Sequence, residues 1–488
     1  MTVDASADLT SRLEELCRET AQAMSHHPDL AEEVAAIRDR LRSPLRLAIA
    51  GRAKAGKSTL LNALIGERVA ATDAGECTLV VTWYVHGHSY GARATTKDGR
   101  DHELRLRRDD DGRTTIDLGD LAADDIDRIT VTWPASVLSD LVLIDTPGLG
   151  SINNEVSRRT QAFLTPEHGH GDADAVVYLM RHVHRRDVDF FEAFADSSLA
   201  ACSPANSVAM LSRADETGAA RPDALDSARR IAARLQSDRE LKRLCSEVLP
   251  LAGLLGETGA TLREEEVGWL RALAAEPAEQ AEAMLHSVER FVRSASSAVA
   301  PEHRVELIER LGLYGVRRSV QLLQTGSEHG AVSTASELSR QLIEMSGVTE
   351  LRTLIRTRFV RQASVLKARS ALGSLRELAR LLGERDAPSG AALDGRLDQF
   401  TSAANELESL RALTLVTAGL TRLDDDTERE AVTALDRGAD AAIGRTELVE
   451  LVDRWRSLAQ DPVHDPATAE VCNAVAHVYE QAYVSAGW

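Results

Sequence analysis

The sequence is poor in aromatic residues, at 4%. No window comes near 18 consecutive apolar residues, so a membrane-spanning helix is not expected. Positive charge is in deficit: 57 lysines and arginines face 76 aspartates and glutamates, a formal net charge of −19. A polyanion needs a basic surface, so this balance argues against nucleic acid as the main partner. The five cysteines, Cys17, Cys77, Cys202, Cys245 and Cys472, are scattered without a CxxC pair. An odd, unpatterned set suits a reducing compartment rather than a disulfide framework. The opening stretch MTVDASADLTSRLEEL has no basic region followed by an apolar run. No signal peptide is therefore expected, and a cytoplasmic location is.

What is abundant is Ala, Leu, Arg and Glu, the usage of a helix-rich chain. Two helices are expected first, one with Leu9, Leu13, Leu16 and Ala23 on a face, the next with Leu30, Val34, Ile37 and Leu41 behind a cap at Asp29 and Glu32. From Pro44 the period changes. Apolar strands are expected at 45–50, 79–85, 140–145, 175–180, 207–212 and 247–253, mostly separated by helical segments. Such alternation reads as an α/β fold with a mainly parallel sheet and helices on both faces. Between Gly91 and Trp133 the turns KDGR and DDDGRT flank alternating stretches, an antiparallel insert at the sheet edge. After about Gly256 the strand signal stops and only helical segments follow. The expected division is helices over 1–43, an α/β domain over 44–258 and a long all-α bundle over 259–488.

The stretch GRAKAGKST runs from Gly51 to Thr59 and contains GxxxxGK[ST] between a strand and a helix. Glycines let such a loop curl its N–H groups around phosphate oxygens beside the positive end of a helix. The nucleotide-binding residues are read as Gly51, Arg52, Ala53, Lys54, Ala55, Gly56, Lys57, Ser58 and Thr59. Lys57 reaches the β and γ phosphates and Ser58 a Mg²⁺ ion. Asp145, closing an apolar strand in Asp-Thr-Pro-Gly148, holds the Mg²⁺ through water, and the Gly148 N–H senses the γ phosphate. Thr78 offers a hydroxyl to Mg²⁺, with Thr72 and Thr82 nearby as alternatives. The metal set is thus Ser58, Thr78 and Asp145. Ser212-Arg213-Ala214-Asp215 follows a strand where GTPases carry Asn/Thr-Lys-x-Asp. A carboxylate at Asp215 accepts from the guanine N1–H and exocyclic amine, a donor pair that adenine lacks. Serine and arginine depart from the usual pair, and Arg213 keeps a planar group to lie along the base. A further base-contacting loop is expected after 250–253.

GRAKAGKSTLLNALIG, ECTLVVTWY, LIDTPGL, LSRADE, LGLYGVRRSVQLL and SGVTELRTLI together resemble the bacterial branch of the dynamin superfamily, most closely the actinobacterial dynamin-like proteins of the isoniazid-inducible type. The resemblance implies a GTPase that uses GTP/GDP and Mg²⁺. It implies heads that pair across their nucleotides with a like or related dynamin-like chain, and a helical stalk built from the N-terminal and post-GTPase helices. It further implies membrane remodelling or fusion, or protection under envelope stress, on the inner face of the plasma membrane. Leu149 stands where many small GTPases orient the attacking water with glutamine. Lys54, or alternatively Arg52, is then the candidate to neutralise charge on the β–γ bridging oxygen, weighed against a solvated loop lysine. The catalytic set is Lys57, Ser58, Thr78 and Lys54.

Arg352, Arg356, Arg358, Arg361, Lys367, Arg369, Arg376 and Arg380 make one basic helical segment. It docks on anionic lipid or, the favoured reading, pairs inside the bundle with acids such as Glu406, Glu408 and 424–426. No loop between the helices carries a run of large apolar residues. His168, His170, His182 and His184 read as loop histidines, since nothing completes a tetrahedral metal set. Trp83, Trp133, Trp269 and Tyr314 read as packing, and Gly312 and Gly315 as a close helix crossing. Three alternatives stand beside the mechanochemical GTPase: a regulatory GTPase acting on a protein partner, a nucleotide-binding scaffold with little turnover, and an RNA-linked GTPase, which the acidic balance disfavours.

Overall fold

A computed structural model describes residues 5–70, 80–109, 112–147, 173–181, 204–326, 332–440 and 442–485. Thr72, Cys77, Thr78, Gly148, Leu149, His168, His170, His182, His184 and Cys202 lie outside the described residues. The described strands are β1 (Leu45–Gly51), β2 (Val81–His86), β3 (Gly91–Thr96), β4 (Asp101–Arg108), β5 (Thr114–Asp117), β6 (Ile126–Trp133), β7 (Leu141–Asp145), β8 (Ala175–Met180), β9 (Ser207–Ser212) and β10 (Val248–Leu251). They form one sheet in the order β10-β9-β8-β1-β7-β2-β6-β3-β4-β5. The run from β10 to β7 is parallel throughout. β2 then turns antiparallel to β7, and β6 lies parallel to β2. The insert β3–β5 continues antiparallel to the far edge. The α/β class, the parallel core and the antiparallel addition read from the sequence are all present.

Strand residues alternate faces, and each face has its own core. Leu45, Leu47 and Ile49 pack on the α3 (Lys57–Ile65) side with Leu60, Leu61 and Leu64. Ala48 and Ala50 pack on the other side with Ala232 of α4 (Ala224–Gln236) and with Leu241 and Leu244 of α5 (Arg239–Leu244).

The later helices fill three further cores. α6 (Gly253–Ala260), α7 (Glu264–Ala274), α8 (Ala278–Met284), α9 (Val288–Arg293), α10 (Pro301–Thr325) and α11 (Ala335–Ser346) share a core with Leu211, Ala214 and Leu225 at the β9 end of the sheet. After Gly347 come α12 (Val348–Leu354), a π-helical turn over Ile355–Val360, and the long α13 (Ala363–Arg385). α13 and α14 (Ala387–Ser402) close a four-helix bundle with α1 (Ala5–Ala23) and α2 (Pro28–Arg42) around Leu13, Val34, Leu375 and Leu397. The N-terminal helices thus pack against helices that follow the sheet domain. α15 (Asn405–Thr417), α16 (Asp425–Arg437), α17 (Arg445–Ala459) and α18 (Pro466–Ser485) form a second bundle around Trp455, Val471 and Val475.

Within the basic segment Arg352 and Lys367 are engaged inside the fold, by groups other than acids. Arg352 donates to the Ala63 and Leu64 carbonyls, at 2.7 and 3.2 Å, at the end of α3. Lys367 donates to Leu41 O at 2.7 Å and Ser43 O at 2.9 Å, at the end of α2. Carbonyls at a helix C-terminus carry partial negative charge and lack intrahelical donors, so they take a cation as a carboxylate would. Arg358 faces Glu247 at 3.6 Å, Arg376 faces Asp398 at 3.1 Å, and Arg380 pairs with Glu377 and Glu384. Asp424 instead caps its own helix, accepting from the Asp426 and Thr427 N–H groups.

Candidate functional site

β1 lies between β7 and β8, with Ile49 opposite Asp145 and Gly51 opposite Leu179. That register delivers the glycine loop and the Asp145 carboxylate to the same end of the sheet. Gly51 must be glycine: its φ is 148°, and a Cβ would stand 2.6 Å from Leu179 O. The loop turns through Lys54 in a left-handed conformation, φ 61°. Ala55 N–H donates to Arg52 O at 3.1 Å. Ala53 and Lys54 are exposed on the rim, and Ala55 and Lys57 are buried. Gly56 precedes Lys57, the first residue of α3. The Thr59 methyl faces the start of α6, 3.4 Å from where Gly253 would carry a Cβ.

Lys57 Nζ donates to Gly51 O and Arg52 O, both at 3.4 Å, the long end of the hydrogen-bond range. Burial pushes its proton affinity down, against the pull of Asp145. Ser58 Oγ donates to Asp145 Oδ2 at 3.0 Å. The other carboxylate oxygen, Oδ1, is buried with no hydrogen-bond partner, and burial pushes the carboxyl upward, opposed by Lys57 and Ser58. A serine hydroxyl and an orphaned carboxylate oxygen beside a buried ammonium fit a hydrated divalent cation and a phosphate together. No group of three or more His, Cys, Asp or Glu among the described residues is placed to hold a metal. Thr82, the alternative to Thr78, is buried in β2 with its hydroxyl on Val80 O at 3.3 Å.

At the end of β9, Ser212 Oγ donates to Met180 O at 3.2 Å. Arg213 is left-handed, φ 54°, and its guanidinium reaches Lys54 O at 3.1 Å and Glu216 at 2.8 Å. The Arg213 side chain therefore bridges the glycine loop and the turn carrying Asp215. Asp215 is only 5% exposed. Burial pushes its carboxyl up from 3.8 to about 6, Glu216 adding to the rise and Arg213 and its own backbone opposing it.

A raised folded value means that the native state holds more protons than the unfolded state between pH 4 and 6. The stabilisation is complete below the unfolded value and is lost as pH rises through the folded one. Asp215→Asn is therefore expected to gain about 3 kcal/mol on the natural protein between pH 4 and pH 7. Urea unfolding at the two pH values measures this, and parallel pH profiles would contradict it.

The sequence reading did not include a network beside the loop. Asn62 Oδ1 accepts from Val69 N and Ala70 N at 2.9 and 2.7 Å. Its Nδ2 donates to Ala70 O and to Glu257 Oε1, at 3.2 and 3.1 Å. Arg68 meets Glu257 at 3.3 Å, while Glu67 takes Arg108 and the Trp133 indole, each at 3.1 Å. The phosphate-loop helix, α6 and the insert thus hold residues 67–70, which lead in sequence to Thr78. The buried Asn62 inside LLNALIG was the one local signal.

Residues 47–191 match the family model Dynamin_N, the dynamin family. The chain is 33% identical over 468 residues to the isoniazid-induced protein IniC of Mycobacterium tuberculosis, covering 93% of each chain. It is 27% identical over 169 residues to the bacterial dynamin-like protein of Nostoc punctiforme, covering 32% of this chain and 23% of that one. It is 30% identical over 159 residues to isoniazid-induced protein IniA of M. tuberculosis, covering 32% and 24%. With a GxxxxGK[ST] loop on a mainly parallel sheet, helical bundles beyond it and 33% identity over 93% of its length, the chain belongs to the bacterial dynamin-like proteins of the IniC type.

Proposed function

We propose that this chain binds and hydrolyses GTP with Mg²⁺, and that nucleotide-dependent pairing of GTPase heads moves its helical bundles. The observation that carries the reading is the dry Asp215 carboxylate at the sheet end that also holds the glycine loop. In this reading the loop N–H groups and Lys57 hold the phosphates, and Arg213 lies along the base. Ser58, Asp145 and Thr78 hold Mg²⁺, which when bound neutralises charge on the terminal phosphates. The Gly148 N–H senses the γ phosphate. Lys54, on the rim, offsets charge on the bridging oxygen.

Calorimetry with GTP, ATP and xanthosine triphosphate tests this. The natural protein should take GTP and reject ATP. Asp215→Asn should exchange GTP for the xanthine nucleotide, whose C2 carbonyl accepts where guanine's amine donates. Equal capture of GTP and ATP, or an Asn variant that keeps its GTP affinity, would remove Asp215 from recognition.

The second reading is a regulatory GTPase whose bundles meet a protein, such as another dynamin-like chain. The engagement of Arg352 and Lys367 by main-chain carbonyls inside the fold favours it over lipid docking through those residues. No helix among the described residues is long and apolar enough to cross a membrane. We place the protein in the cytoplasm, with peripheral contact on the inner membrane face as the alternative site of action.

A further inference from the structure

Helix α10 is broken in its middle. At Gly312 the backbone takes φ 65° and ψ 172°, a combination essentially restricted to glycine. A Cβ on Gly312 would stand 3.5 Å from Asp215 Oδ2 and 3.9 Å from Leu254 Cδ1. Three segments therefore converge there: the turn after β9, the start of α6 after β10, and the break in α10.

The break is pinned on both sides. Before it, Thr258 donates to Arg310 O, and the Arg310 guanidinium meets Glu266 at 2.8 Å. After it, Arg317 donates to Leu285 O at 2.7 Å, to His286 O at 3.0 Å and to Ala220 O. Ala220 closes a run of left-handed residues, Gly218, Ala219 and Ala220, with φ of 63°, 62° and 57°. Two alanines in that region are strained, and such strain persists only where neighbours hold it. α10 thus supports both the carboxylate and the loop that follows it.

We infer that Gly312 determines base specificity: the break in α10 is the dry wall against which Asp215 meets the exocyclic amine of the purine. This rests on the reading of Asp215 as the guanine acceptor. A hydrogen bond to a carboxylate discriminates most where water cannot replace the missing donor. The raised Asp215 carboxyl is the mark of such exclusion. A Cβ at 312 would meet the carboxylate only at ordinary contact distance, but the left-handed φ of 65° would strain the backbone of any other residue, so the break in α10 must relax and admit water. The amine contact would then lose its advantage, while the phosphate loop would keep its grip.

Inosine diphosphate differs from GDP only in lacking that amine. Calorimetry on the full chain should show the natural protein binding GDP roughly tenfold or more tighter than inosine diphosphate. In Gly312→Ala the ratio should fall by about threefold or more, with both nucleotides still bound. An unchanged ratio overturns the inference, including the case in which both affinities fall together, as a merely structural defect would produce. If Gly312→Ala fails to fold by circular dichroism, Leu254→Ala carries the test. It thins the same wall without backbone strain, and its ratio must also fall. Failure of the underlying reading looks different: the natural protein shows no preference for GDP over ADP, or Asp215→Asn binds GDP unchanged. Either result takes this inference with it.

Discussion

Lys57→Ala is expected to lower guanine-nucleotide affinity by about 100-fold or more, while changing the stability of the nucleotide-free protein by only about 1 kcal/mol. The two halves have one cause. The ammonium is buried, yet its partners are two carbonyls at the long distance of 3.4 Å. An ammonium taken out of water with such weak replacement is costly, and its lowered proton affinity says the same. Removing it relieves that cost and forfeits its attraction to Asp145, two effects of opposite sign. A phosphate restores the missing partner, because charge-assisted bonds contribute about 1.5–3 kcal/mol each. Those bonds vanish with the side chain. Calorimetry gives the affinity and urea unfolding the stability. At a ligand concentration of about 100 Kd the natural protein should gain about 2.7 kcal/mol, and the variant almost none at that same concentration. A variant that binds normally would mean that Lys57 does not hold the phosphates. One that binds weakly because it has partly unfolded would leave the role undecided by affinity but would refute the stability half.

Local patterns made the sheet end readable and left its surroundings hidden. The glycine loop, the apolar runs of β1, β7, β8 and β9, Asp145 at the end of its strand and Asp215 just past the end of another are all coded within a few residues. The partners of the basic segment are not. Arg352 and Lys367 find main-chain carbonyls at the ends of α3 and α2. A helix end is a position, not a residue type, so a search for acids turns to Glu406 and Glu408 instead. The helices α6 to α11 show apolar stripes, but a stripe does not say what covers it. Here Leu255, Leu270, Leu307 and Leu338 cover the β9 end of the sheet. Gly312 was legible as a close approach. That the approach is made to Asp215, through a break rather than a smooth crossing, depends on a contact between segments distant in sequence. Asn62 shows locally only as a polar residue inside LLNALIG, and its partner Glu257 is hidden for the same reason.

Glu266→Gln is expected to destabilise the protein by about 3 to 5 kcal/mol. Glu266 and Arg310 are among the most buried ionic groups described, with side chains 1% and 5% exposed. The carboxylate accepts Arg310 Nε at 2.8 Å and the Arg263 N–H at 2.8 Å, and Arg310 Nη2 also donates to Thr261 O at 2.9 Å. Burial pushes the Glu266 carboxyl upward, but the Arg310 guanidinium together with the Arg263 N–H and charge outweighs it and holds the carboxyl below its ordinary 4.5. The amide variant keeps the shape and one acceptor but leaves a guanidinium buried without its counter-charge, which is the costly outcome. The double replacement Glu266→Leu with Arg310→Met removes both charges and should recover about 2 kcal/mol or more of the loss. The pH dependence has a definite sign. A depressed carboxyl contributes stability above its unfolded value and loses it as pH falls through the folded value. The gap between natural protein and Glu266→Gln should thus hold from neutral pH downward and narrow only below 4.5. Urea unfolding of the natural protein and both variants checks each statement. Because Arg310 stands two residues before Gly312, the single variant should also loosen the α10 break and narrow the GDP preference, whereas a repacked double variant that keeps α10 in place should restore it. Stability and base discrimination moving together in the single variant, and recovering together in the double, is the behaviour expected if this pair fixes the wall of the base site.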